Sequence, residues 1–78
     1  MPRDYGSSRA VPALRKTVGS RVRELRHAAL MSQMELGTKA GLSGKFIGEC
    51  ERGDKSISVD SLYRVAKALR VPLADLVA

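Results

Sequence analysis

Apolar residues fall at helical spacing along most of this chain. Leu14, Val18, Val22, Leu25 and Ala29 stand at i, i+4, i+8, i+11 and i+15, the apolar stripe of a first helix over about 12–29, with Pro12 suited to its first turn. Gly19 inside that helix costs roughly 1 kcal/mol relative to alanine. Leu36 and Ala40 lie four apart on a second segment, and Phe46 or Ile47 pairs with Cys50 at four or three on a third. Leu62, Val65, Ala66 and Leu69 complete the i, i+3, i+4, i+7 template, and Leu73, Leu76 and Val77 give a last short helix opened by Pro72 an apolar face. The pattern predicts an all-α domain, five short helices around one core without strands.

The polar positions set where these helices begin and end. Ser32 with Glu35 three residues on is a capping box, in which each side chain satisfies an orphan backbone N–H, so a helix begins near Gln33. Gly41 follows Ala40 and precedes Leu42 and a second capping serine, Ser43. The chain therefore stops one helix at positive φ and starts another within three residues. That second helix runs over about 44–52, with Gly53 as its stop and Leu42 plugging the angle between the two. After a polar loop at 54–57, Ser58 caps the fourth helix and 70–71 ends it. Two short helices joined through a glycine turn over 32–53 have the geometry of a helix-turn-helix, whose second helix can enter the DNA major groove; an ordinary αα corner has the same spacing.

Seventy-eight residues allow one domain, with no apolar run long enough to span a membrane and no signal-peptide core, which leads us to expect a soluble, cytoplasmic protein. A chain this short buries only about 60% of its unfolded surface. One cysteine makes no internal disulfide, and one cysteine with one histidine, His27, makes no metal cage, so extra stability has to come from packing or oligomerisation. The net charge of +6 suggests a polyanionic partner. Residues 1–31 carry seven basic and two acidic side chains, a net of +5, which leaves +1 for 32–78. Residues 1–10 are polar without hydrophobic period, a flexible arm preceding a domain over 11–78; a functional arm would reach a DNA groove through Arg3 and Arg9. No nucleophile–base pair, phosphate-binding glycine loop or paired carboxylate is apparent, so no catalytic residue, metal ligand or cofactor is assigned.

From about 18 to 76 the chain resembles the lambda-repressor-like helix-turn-helix family of bacterial and phage transcriptional regulators, also called Cro-type or xenobiotic-response-element proteins. The residues that carry the resemblance are Arg-Glu-Leu-Arg at 23–26, Ser-Gln-x-x-Leu at 32–36, Ala-Gly-Leu-Ser at 40–43, Ile47, Glu-Arg-Gly at 51–53 and Leu-Tyr-Arg-Val-Ala-Lys-Ala-Leu-Arg-Val-Pro-Leu-Ala-Asp-Leu at 62–76. The resemblance implies a compact five-helix DNA-binding domain. It also implies phosphate contacts from Gln33, Ser32, Ser43, Lys55 and Ser56, and base contacts from Gly44, Lys45, Gly48 and Glu49. Arg26 and Glu51 match the positions where relatives form an ion pair between the first helix and the end of the recognition helix. Relatives commonly pair through their C-terminal end, here Val71, Leu73, Leu76 and Val77, which are more apolar side chains than one short helix buries on its own domain.

The chain also departs from the pattern. Glycines at 44 and 48 carry no reading group, and Glu49 brings an anion to the interface. Lys45 can take guanine O6 or N7, Glu49 can accept from cytosine N4, and Phe46 packs in the core or touches a thymine methyl. Gly37, where the family has alanine, puts the tightness of the corner in question. The expected function is a homodimeric, sequence-specific DNA-binding transcriptional regulator on a pseudo-palindromic double-stranded site. The alternative is an antitoxin-type module that binds a toxin or other protein partner and also regulates its own operon, and a third reading, an RNA-binding or nucleoid protein, has only net charge behind it.

Overall fold

The computed structural model describes residues 10–77, and side chains from residue 12, so the arm expected over 1–10 lies outside the described residues except for Ala10, which is helical. Five helices follow in order: α1 (Ala10–Ala28), α2 (Gln33–Ala40), α3 (Gly44–Glu51), α4 (Val59–Leu69) and α5 (Ala74–Val77). Among the described residues there is no strand, and no helix is long and apolar enough to cross a membrane.

Each helix contributes to a single core: Val18 and Val22 from α1, Leu36 and Ala40 from α2, Ile47 from α3, Leu62, Val65, Ala66 and Leu69 from α4, and Leu76 from α5. The α1 stripe is shorter than the spacing predicts. Leu14 is 56% exposed, Ala29 is exposed beyond the helix end, and the charged Arg26, four residues after Val22, is buried in their place. α1 also begins earlier than Pro12, which is accommodated because the first four N–H groups of a helix have no intrahelical partner to lose. On α3 it is Ile47 that fills the core, whereas Phe46 is half-buried and lies outside the buried cluster.

The caps form where the polar pattern places them. Ser32, Ser43 and Ser58 each take an extended conformation and accept the backbone N–H three residues on. Gly41 ends α2 at φ 72°, and its neighbour Leu42 donates its N–H to the Gly37 carbonyl at 2.8 Å. Two turns take positive φ without a glycine, at Leu30 and Arg70. α5 begins at Ala74, after a turn closed by the Asp75 N–H on the Pro72 carbonyl at 3.0 Å.

Two glycines set how closely the helices cross. A Cβ on Gly19 would stand 2.3 Å from the Cys50 carbonyl oxygen, so α1 and the end of α3 meet backbone to backbone. A Cβ on Gly37 would stand 2.6 Å from the Leu42 carbonyl oxygen. The corner is therefore tight, and Gly37 is the residue that lets it be so, which answers the question its departure from alanine raised.

Candidate nucleic-acid interface

The surface begins at the N-terminus of α2. The Ser32 hydroxyl accepts the Glu35 N–H at 2.9 Å while the Glu35 carboxylate accepts the Ser32 N–H at 2.8 Å. The Ser32 N–H, and then the Ser32 hydroxyl, hold the Glu35 carboxyl below its ordinary value. The Ser43 hydroxyl accepts the Phe46 N–H at 3.0 Å in the same way. Ser43 keeps its own O–H as a donor, which is the group a phosphate oxygen would take.

Behind these caps lies a buried polar chain. Arg26 donates from Nε to Glu51 Oε2 at 2.6 Å and from Nη2 to Glu51 Oε1 at 3.0 Å, a two-point pair whose side chains are 9% and 3% exposed. A further Arg26 donor reaches the Met31 carbonyl at 2.9 Å, and Nη2 lies 3.2 Å from His27 Nε2. The Glu51 carboxylate raises the Arg26 guanidinium above its ordinary value, mainly through the hydrogen bond, against the opposing cost of burial. Glu51 Oε1 also accepts from Gln33 Nε2 at 3.1 Å. Three helices are thus tied at one carboxylate, and one Gln33 amide N–H is committed inward.

The outer face of α3 carries fewer groups than the resemblance implies. Lys45 is exposed and Glu49 half-exposed. Gly48 is buried, and a Cβ there would meet the Gln33 amide at 3.1 Å; a Cβ on Gly44 would meet the Met34 Cα at 3.0 Å. Both glycines therefore face α2, where they let Gln33 and the start of α2 lie against α3, and neither offers a side chain to a base edge. Arg52, exposed at the end of α3, shares the face of Lys45 and Glu49 at seven and three residues' remove, and pairs with Asp54 at 3.0 Å. The helical spacing of 45, 49 and 52 was the available signal for it. Lys55 and Ser56 are exposed on the loop that follows.

Residues 17–78 match the family described as helix-turn-helix domain. The chain belongs to the lambda-repressor-like helix-turn-helix family. It is 45% identical over 56 residues to an uncharacterized transcriptional regulator in the ATPase CF(0) region of Rhodospirillum rubrum, covering 72% of this chain and 52% of that protein. It is 34% identical over 64 residues to the control protein C.BamHI of Bacillus amyloliquefaciens, 81% of this chain and 79% of that one. The chain thus spans about half the length of the first of these relatives and most of the second. Among solved structures it resembles the restriction-modification controller protein C.AhdI of Aeromonas hydrophila, with a TM-score of 0.81, 34% identity, and 83% of this chain and 94% of that one covered.

Two more features of this helix-turn-helix domain follow from the geometry. No cluster of potential metal ligands exists among the described residues. Leu76, expected at a dimer contact, is wholly buried in its own core. It is withdrawn from that role because α5 docks on α1, where the Arg21 Nε also donates to the Asp75 carbonyl at 2.8 Å. Val71 and Leu73 are half-buried against the same core, and Val77 remains exposed.

Proposed function

We propose that this helix-turn-helix chain regulates transcription in the cytoplasm by laying α3 in the major groove of an operator, as a two-fold dimer. What carries the reading is the α2–α3 corner, locked by Gly37 and by the Arg26–Glu51–Gln33 chain so that Lys45 and Glu49 face outward together. Lys45 reads guanine and Glu49 accepts from cytosine. Ser32, Ser43, Lys55 and Ser56 take phosphates, and Gln33 does so through the amide hydrogen that Glu51 leaves free. With only two reading side chains on α3, sequence preference also draws on DNA shape. The dimer contact uses Val71, Leu73 and Val77.

The roles separate in a binding experiment. Lys55→Ala weakens binding to every sequence alike and lowers the salt slope by about 1. Lys45→Ala costs about 1–3 kcal/mol on the preferred site and relaxes one position. Equal loss on preferred and random DNA for Lys45→Ala would reject its reading role.

A further inference from the structure

A groove of about 270 Å³ opens between the start of α1, the end of α3, the loop carrying Lys55 and the start of α4, with the end of α5 at its rim. Its walls are apolar: Leu14, Ile57, Val59 and Val77 line it above the core residues Val18 and Leu62. Among the described residues, Leu14, Val59 and Val77 are three of the large hydrophobic side chains left exposed.

Its polar edge is cationic. Arg15 and Lys55 line it, and among the described residues no acidic side chain does. The Arg15 Nε is buried without a hydrogen-bond partner among the described residues. A guanidinium N–H held out of water in that way is best satisfied by an anionic oxygen. A ligand that met both features would carry an apolar tail and a small anionic head. At roughly 30 Å³ for each water-sized group, the groove has room for about nine of them, the anionic head and the nearer part of a tail together, with the tail's end at the open rim.

We propose that this groove binds a small amphipathic anion, a carboxylate on an apolar tail of about eight to ten carbons, with the head on Arg15 and Lys55. Lys55 is also the phosphate contact assigned above, so occupancy draws it from DNA and lowers operator affinity. That last clause rests on the DNA-binding reading; the site itself does not.

The test is calorimetric titration of the DNA-free protein with decanoate, decanol and decylammonium below their aggregation limits. Decanoate binds saturably at one site per chain, decanol at least about tenfold more weakly, and decylammonium not at all. Arg15→Gln reduces decanoate affinity about tenfold and leaves decanol unchanged. Val59→Asp, placed at an exposed rim position so that the fold is kept, abolishes decanoate binding with an unaltered helical circular-dichroism spectrum. Absence of saturable decanoate binding, equal binding of all three probes, or indifference to Arg15→Gln overturns the site. Val77 at the rim is also assigned to the dimer contact above, so a dimer that fills the groove with the second copy overturns the site; it shows as a dimer that Val59→Asp dissociates and decanoate never disturbs. Repeating the titration with DNA present tests the coupling alone: decanoate raises the dissociation constant of wild type and not of Lys55→Ala, and a constant unmoved by decanoate in wild type removes the regulatory clause.

Discussion

Arg26 lies buried on the apolar side of α1 because each of its three guanidinium nitrogens is engaged, two by Glu51 and one by the Met31 carbonyl. Removing either partner strands a charge in a place water does not reach. Arg26→Ala and Glu51→Ala should each cost about 3–5 kcal/mol, read as a fall of many degrees in thermal midpoint; melts within error of wild type would contradict the buried pair. Cys50 shows the opposite treatment of a polarizable group. Burial, helped by the charges of Glu49 and Glu51, pushes its thiol from 9.0 up to about 11. The folded thiol therefore stays protonated where the unfolded one ionises, so its contribution to stability is complete below about pH 9 and is lost as pH climbs toward 11. At pH 8 an alkylating reagent should label native Cys50 far more slowly than the denatured chain, and comparable rates would contradict its burial. The sequence pattern at 23–26 and 51–53 brought Arg26 and Glu51 together only through resemblance. Periodicity alone assigned the α1 stripe to apolar residues and gave no sign that a guanidinium would occupy it.

At the scale of elements, caps and apolar periods were readable directly, because both are local. The three serines cap α2, α3 and α4 as their spacing requires, and the core residues of α2 and α4 are those the 3.6-residue period names. What spacing could not supply was how near two helices approach. Gly19 reads locally as a helix weakness, yet its missing side chain is the condition for α1 to cross α3. Gly37 reads as a loose corner and is the reverse, while Gly44 and Gly48 read as empty reading positions and are contacts with α2. Gly19→Ala and Gly37→Ala should therefore destabilise by about 1–3 kcal/mol, although alanine is the better helix former by roughly 1 kcal/mol. Chemical denaturation measures both, and a gain in stability for either would contradict the close crossing.

For the whole molecule, charge is divided against function in an instructive way. The positive excess lies in residues 1–31, whereas 32–56, which holds the corner and its following loop, carries four basic and four acidic side chains. Arg26 is paired with Glu51 and Arg21 with Glu24, so neither adds to the positive field of the N-terminal segment. On the proposed reading, affinity depends on phosphate donors at the helix starts and on the few side chains α3 presents. Methylation interference on DNA selected from a random pool tests it most directly, because methylating guanine N7 blocks the major-groove edge that Lys45 is assigned to read. Interference is expected at guanines in two clusters about one helical turn apart, lost together when Lys45 is replaced by alanine. Binding of full strength to DNA methylated throughout the selected site would contradict it.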